Sequence, residues 1–104
     1  MNTINDLVPG STLAHLAAEN RDTDAMRLID PAILSTQDRD GETALHYAAT
    51  NGDLKMCKII IELNPDIVNI TDIENKTAYD WALAYNEEYN GTHQEVCDYL
   101  QEFK

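Results

Sequence analysis

The sequence GETALHYAA at residues 41–49 decides the fold, because related copies of it stand before and after it in a chain of 104 residues. The first copy is GSTLAHLAA at residues 10–18, which keeps the glycine, the threonine, the histidine and the alanine pair. The third copy is NKTAYDWAL at residues 75–83, where asparagine replaces the glycine and Asp80 replaces the histidine. The spacings of 31 and 34 residues indicate a structural repeat of about 33 residues.

Each unit carries the start and stop signals of two short helices. In the middle unit, Thr43 can cap a helix that runs to about Asn51, and Gly52 suits its C-terminal end. Asp53 can cap a second helix, which Pro65 ends. The three isoleucines at residues 59–61 favour a strand by propensity, but the length and the caps of the segment favour a helix.

Turns rich in aspartate, glycine and asparagine separate the units. One turn is predicted at residues 38–41, and the next at residues 72–75. The two turns lie 34 residues apart, which is the spacing of the repeat. They therefore mark the points where one helix pair passes to the next.

The middle unit resembles an ankyrin repeat. The resemblance rests on a glycine, a threonine, a histidine, an alanine pair and an Asn-Gly step: Gly41, Thr43, His46, residues 48–49 and residues 51–52. Ala44 stands where the family has proline. The resemblance implies an all-α ankyrin-repeat solenoid of three helix-turn-helix repeats, joined by β-turn or hairpin-like loops. We expect a single domain over residues 1–104, with repeats at about 8–40, 41–74 and 75–104.

The two outer repeats depart from the family pattern. In the first repeat, the second helix is expected to be cut short at Pro31. In the third repeat, we expect a first helix from Thr77 to about Tyr85, and a second helix that starts at the capping box of residues 92–95. This last helix is predicted to carry one apolar stripe: Val96, Cys97, Leu100 and Phe103.

An insertion also distinguishes the third repeat. Thr92 lies 40 residues after Gly52, whereas the repeat spacing requires 34. About six residues are therefore added around residues 86–91, between the two predicted helices.

Three histidines and two cysteines are the side chains best suited to chemistry. His15 and His46 share a repeat position, and the resemblance implies that each bonds a threonine and backbone groups of the neighbouring turn. His93 has no counterpart and is expected to face solvent. Cys57 and Cys97 correspond between repeats, and we expect two free thiols in the core. Neither pattern gives the ligand spacing of a metal site, and no base for a nucleophile is recognisable.

Composition argues against several classes of function. The chain has 19 acidic and 7 basic residues, which give a formal charge of −12 and argue against nucleic acid and anionic membranes as partners. No secretory signal and no membrane-spanning segment is recognisable, so we expect a cytoplasmic location, with delivery into a host cell as an option. No phosphate loop, zinc pair or paired-carboxylate pattern is present, so we expect no catalytic residue, no metal and no cofactor.

The function that the resemblance implies is protein recognition by the turn tips and the exposed face of the first helices. In the middle repeat these positions are Arg39, Asp40, Glu42, Thr50 and Asn51. In the third repeat they are Ile73, Glu74, Lys76, Ala84 and Tyr85.

Aromatic and acidic side chains near these positions define the expected partner. Tyr47 and Trp81 occupy one half-buried helical position, and each can serve packing or partner contact. The carboxylates of the two turns, Asp38 and Asp72 included, are expected to cluster at the tips. Such a cluster attracts a protein with a basic or mixed-charge surface.

We therefore expect a non-catalytic protein-interaction module that is a monomer when free. It can be a free-standing adaptor or inhibitor, or an interaction or targeting segment of a larger or effector protein. Two alternatives remain. A self-associating structural unit would be revealed by light scattering, and an enzyme by a turnover that is lost when one polar residue is mutated.

Overall fold

Three helix pairs make up residues 12–103, the part of the chain that the computed structural model describes. The helices in chain order are α1 Leu13–Glu19, α2 Thr23–Arg27, α3 Ala44–Thr50, α4 Leu54–Leu63, α5 Ala78–Glu88 and α6 Gln94–Gln101. No strand occurs within residues 12–103, and the predicted all-α solenoid is confirmed. The predicted start of the first repeat at residue 8, with Gly10, and the final Lys104 lie outside the described residues.

The helices form two layers. The first helices of the pairs, α1, α3 and α5, pack side by side, and α2, α4 and α6 form the second layer. Small side chains let the first helices approach closely, and they are buried: Ala14, Ala17, Ala18, Ala44, Ala48, Ala49, Ala78 and Ala82. Larger apolar side chains of the second layer fill the core between the layers: Met26, Met56, Ile60, Val96 and Leu100.

A threonine caps each first helix, as the sequence predicts for Thr43 and Thr77. The threonine hydroxyl accepts from the backbone of the first helical turn, and the side chain three residues later accepts from the threonine N–H. The pairs are Thr12 with His15, Thr43 with His46, and Thr77 with Asp80. Asp22 and Asp53 cap α2 and α4 through a carboxylate oxygen, which accepts from the N–H of the third helical residue without a return bond.

Two 3₁₀ helices lead from the second helices to the next turns. They span Pro31–Ser35 and Pro65–Asn69, and bury Leu34 and Ile67 in the core. The sequence pattern did not predict them, although proline at their first position is typical of a helix start. The early end of the second helix in the first repeat is confirmed, since α2 has five residues and stops before Pro31.

The insertion in the third repeat lengthens a helix. Helix α5 has 11 residues, whereas α1 and α3 have seven each, so it continues by about one turn past the predicted end at Tyr85. The remaining inserted residues form a turn in which Asn90 and Gly91 have positive φ.

The start and the end of α6 also differ from the prediction. His93 is the residue before the helix and makes no side-chain capping bond, because its Nδ1 atom pairs with the Thr92 hydroxyl at 2.8 Å. The predicted capping box at residues 92–95 is therefore wrong. Phe103 lies beyond the end of α6 and is 39% exposed, so the buried stripe holds only Val96, Cys97 and Leu100.

Both cysteines are free and buried, as predicted. Burial raises the pKa of the Cys57 thiol to about 12, so this thiol stays protonated and acts as a small apolar side chain. None of the helices within residues 12–103 is long and apolar enough to cross a membrane.

Candidate interaction surface

The two turns have the same internal geometry. In the first, a carboxylate oxygen of Asp38 accepts hydrogen bonds from the N–H groups of Asp40 and Glu42, both at 2.9 Å. In the second, Asp72 accepts from the N–H groups of Glu74 and Lys76, at 2.9 and 3.0 Å. Each aspartate therefore holds its own turn closed.

The second carboxylate oxygen of each aspartate binds the following helix. The Tyr47 hydroxyl donates to Asp38 at 2.6 Å, and the Trp81 indole N–H donates to Asp72 at 2.6 Å. Tyr47 and Trp81 are half-buried. Their hydrogen bonds connect each turn to the first helix that follows it. The sequence alone allows either packing or partner contact for both residues.

Asp38 and Asp72 do not lie at the exposed tips. Only 6% of Asp38 and 7% of Asp72 is exposed, so the prediction that these two carboxylates lie at the tips is wrong. Burial alone would raise the pKa of Asp72, but the hydrogen bonds from Trp81, Lys76 and Glu74 together outweigh it and lower the pKa. The structural role of these carboxylates explains their burial.

Carboxylates of both turns, the two buried aspartates included, lie close enough to Glu42 to repel its charge. Burial, followed by repulsion from Asp38, Asp72, Asp40 and Glu74, raises the pKa of Glu42 from 4.5 to about 7. The side chains of Asp40 and Glu74 are exposed, and that of Glu42 is half-buried. The two turns therefore do bring acidic groups together, as the sequence predicts.

Glu42→Gln should change how stability depends on pH. The pKa of Glu42 in the folded state lies above its ordinary value. The stability that this difference provides is therefore fully present below about pH 4.5 and is lost as the pH rises through about 7. The amide of the variant does not titrate over this range, so the variant should gain stability relative to wild type between pH 5 and pH 8. Urea unfolding at the two pH values measures the difference. Glu62→Gln, which removes one exposed carboxylate on α4, is the control for the loss of a single charge.

The turn tips contact each other directly. The Ile73 N–H donates to the Asp40 carbonyl at 3.1 Å. The Gln37 side chain donates to the carbonyls of Gly41 and Thr71, both at 2.8 Å. Gly41 has a φ of +78°, and a Cβ atom there would lie 2.8 Å from the Ile73 nitrogen. Neighbouring tips therefore form one continuous edge rather than two separate loops.

Two histidines tie each repeat to the next, as the resemblance implies. His46 Nδ1 accepts from the Thr43 N–H at 3.1 Å, so its proton is on Nε2, which donates to the Lys76 carbonyl at 3.0 Å. His15 makes the same bonds with Thr12 and with the Glu42 carbonyl, the latter at 2.7 Å. Both rings are buried.

His93 forms a third tie that sequence reasoning missed. It is 9% exposed, so the expectation that it faces solvent is wrong. Its ring Nε2 atom donates to the Thr50 carbonyl at 2.8 Å, and its backbone N–H donates to the Asn86 side chain. No signal in the repeat pattern points to this bond, because the other repeats have no histidine at this place.

The predicted surface residues fall into two groups. Arg39, Asp40, Ile73, Glu74 and Ala84 are exposed. Glu42, Thr50, Asn51, Lys76 and Tyr85 are half-buried.

Thr50 and Asn51 also take part in bonds inside the molecule. The Asn51 carbonyl accepts from Arg21 at 2.9 Å, and the Thr50 hydroxyl donates to the Tyr47 carbonyl at 3.0 Å. The Thr50 carbonyl accepts from His93, as described above. These two residues therefore help to join the repeats.

No cluster of metal-binding type is found within residues 12–103. There, no three or more His, Cys, Asp or Glu side chains are arranged to hold a metal ion. In the same part of the chain, every buried side-chain nitrogen or oxygen has a hydrogen-bond partner. The polar groups of the described interior are thus used for structure.

Comparison with known proteins gives a consistent result. A family model described as ankyrin repeats, in three copies, matches residues 14–103. An ankyrin repeat-containing protein of Arabidopsis thaliana is 33% identical over 73 residues, and transcription factor MBP1 of Saccharomyces cerevisiae is 34% identical over 70 residues. A FYVE zinc finger domain protein, UPA1 of Mycosarcoma maydis, is 40% identical over 62 residues.

These matches cover most of this chain and little of the relatives. They span 66%, 62% and 55% of the chain, but only 14%, 8% and 5% of the respective relatives. The similarity therefore concerns the repeats and not the remaining parts of those larger proteins.

Proposed function

Because the chain belongs to the ankyrin-repeat family, whose repeats are in general protein-interaction modules and typically not catalytic, we propose that it binds a partner protein through its turn tips and first helices. The observation that supports this most is the continuous edge formed by the tips. Arg39, Asp40, Ile73 and Glu74 project from a backbone fixed by hydrogen bonds between the turns. A fixed backbone lowers the entropy cost of binding.

The partner we propose has a basic or mixed-charge surface. The net charge of −12 and the crowding of carboxylates around Glu42 favour such a surface electrostatically. Apolar contact would come from Ile73, of which 72% is exposed, and from Tyr85 at the neighbouring helix face. Glu42, Lys76, Thr50 and Asn51, which are half-buried, complete the surface that we propose.

Reversal of charge at Asp40 and Glu42 should slow association with the partner and flatten its salt dependence. Charges at the rim of an interface act mainly on the association rate, whereas a packed aromatic side chain acts on dissociation. Tyr85→Ala should therefore mainly speed dissociation. A partner captured by pull-down and identified by mass spectrometry would be tested by surface plasmon resonance, from about 0.05 to 0.5 M salt.

A double variant with the same net charge serves as the control. Asp24→Lys and Glu62→Lys reverse exposed charges on α2 and α4, in the other layer. This control should keep the wild-type association rate. If both double variants slow association equally, or if salt has no effect, the charge of the tips only keeps the protein in solution.

Three further properties belong to this proposal. We propose that the free protein is a monomer, which light scattering would test against self-association. We propose a cytoplasmic location, because two free, buried cysteines fit a reducing compartment. Binding of nucleic acid is not part of the proposal, since the net charge opposes it.

A further inference from the structure

The lengthened helix α5 carries a row of aromatic side chains. Trp81, Tyr85 and Tyr89 are spaced four residues apart, so they follow one face of the helix. The ring centroids of Trp81 and Tyr85 are 6.4 Å apart, and those of Tyr85 and Tyr89 are 5.8 Å apart. Tyr85 is half-buried and 51% of Tyr89 is exposed, so the row opens toward its C-terminal end.

One of the three rings, that of Tyr89, lies among the inserted residues, and Tyr85 directly precedes them. Helix α3 ends at Thr50, whose counterpart in the repeat is Ala84. Tyr85 and Tyr89 therefore lie in or directly after the additional turn. Tyr85 also contacts the ring of His93, with centroids 5.6 Å apart, and so supports the tie to Thr50. Tyr89 lies beyond that contact and offers its ring to solvent.

The surroundings of the row are acidic. Between Lys76 and Lys104 the sequence has no lysine or arginine, and it has six carboxylates: Asp80, Glu87, Glu88, Glu95, Asp98 and Glu102. Glu88 is exposed and lies three residues after Tyr85, on the same side of the helix. A cation that approaches the tyrosines thus meets negative charge and no competing positive side chain from this segment.

The first ring of the row already holds a cation of the chain itself. The Lys76 ammonium lies 5.8 Å from the centroid of Trp81, within the range of a cation–π contact. In the described part of the chain, the other such contact joins Lys58 to Tyr99. The rings of Tyr85 and Tyr89 are therefore without a cation from residues 12–103.

We propose that Tyr85, Tyr89 and Glu88 bind an arginine side chain of the partner, an inference that rests on the proposed function. The guanidinium group stacks on the exposed tyrosine ring and donates to the Glu88 carboxylate. Arginine fits better than lysine, because its planar group stacks on aromatic faces and presents a fork of donors to a carboxylate. The surface that binds the partner thus extends from the turn tips along α5.

The test uses short synthetic peptides of alternating serine and arginine, serine and lysine, or serine and glutamine. Trp81 is the only tryptophan, and it stands in the row itself, so its fluorescence reports binding without a label. At about 0.15 M salt, where long-range attraction is screened, the arginine peptide should bind more tightly than the lysine peptide. The glutamine peptide should leave the fluorescence unchanged.

Two substitutions at Tyr89 distinguish the effect of the aromatic face from the effect of side-chain size. Tyr89→Leu keeps an apolar side chain but removes the aromatic face. It should lower the affinity for the arginine peptide roughly threefold, the ratio typical of an exposed cation–π contact. Tyr89→Phe keeps the face and should retain the affinity. Leu28→Ala, at a residue that is 87% exposed in the first repeat, is the control and should also retain it. Equal melting temperatures show that the fold is intact.

Two outcomes would overturn the inference. One is equal binding of the arginine and lysine peptides, and the other is unchanged affinity in Tyr89→Leu. The proposed function has a separate test, since a partner that depends on Asp40 and Glu42 but not on Tyr89 would support it and contradict the arginine site.

Discussion

Gly41→Ala should lower the free energy of unfolding by about 2–4 kcal/mol. The φ of +78° costs a residue with a side chain about 1–2 kcal/mol, because the left-handed region disfavours Cβ. The new Cβ would also lie 2.8 Å from the Ile73 nitrogen, a backbone atom that moves only if the neighbouring turn moves. That movement would break the Ile73–Asp40 hydrogen bond, whose loss costs about 1 kcal/mol more. Urea unfolding measures the loss.

The matched control for Gly41 lies one repeat later. Asn75 occupies the same position of its turn, with a φ of +62°, and asparagine tolerates this region better than alanine. No following turn packs on it within residues 12–103, so Asn75→Ala should cost only about 1 kcal/mol of conformational strain. Equal losses in the two variants would show that the contact between turns does not contribute to stability.

His46→Ala is the second substitution with a large expected effect, about 2–4 kcal/mol of unfolding free energy. The Thr43 N–H and the Lys76 carbonyl lose their partner inside the molecule, at about 1–3 kcal/mol. The ring is fully buried, so its removal also leaves a cavity between the repeats. Thermal unfolding should show a lower melting temperature by several degrees.

Asp80 is the matched control for His46. It closes the same capping box with Thr77 at 3.0 Å, but as an acidic side chain it has no donor for a neighbouring carbonyl. Asp80→Ala should therefore cost about 1 kcal/mol, the usual contribution of a cap. The excess loss in His46→Ala is the contribution of the tie between repeats, and the absence of any excess would contradict that role.

The sequence predicted the parts of the fold that depend on local chemistry. Thr43, Asp53 and Gly52 define helix ends through their own side chain or backbone, and they do so within one turn of chain. The length of α5 was not predictable in this way. The spacing shows that residues are added, but not whether they form loop or helix. In the structure, the Asn86 side chain donates to Gln94 and accepts from the backbone N–H of His93, so it joins the added part of α5 to the start of α6.

Burial of polar groups was the second feature that the sequence did not show. Asp38 and Asp72 belong to turns, where acidic residues are commonly exposed. Each has a side-chain partner nine residues later, Tyr47 or Trp81, which the turn sequence alone does not reveal. His93 bonds a carbonyl 43 residues away, so no local pattern reveals its position. In the proposed interaction surface, the same limits apply to Tyr89, whose exposure depends on the added helical turn.

The raised pKa of Glu42 has a consequence for binding equilibria. At a pKa of about 7, the protein near neutral pH is a mixture of two protonation states that differ by one unit of charge at the tips. A cationic partner binds the ionised state more tightly, so complex formation releases a proton to the solvent. Proton release couples affinity to pH, and binding should strengthen as the pH rises from 6 to 8. In the complex that we propose, the carboxylates at the tips would thereby also make binding respond to the acidity of the compartment.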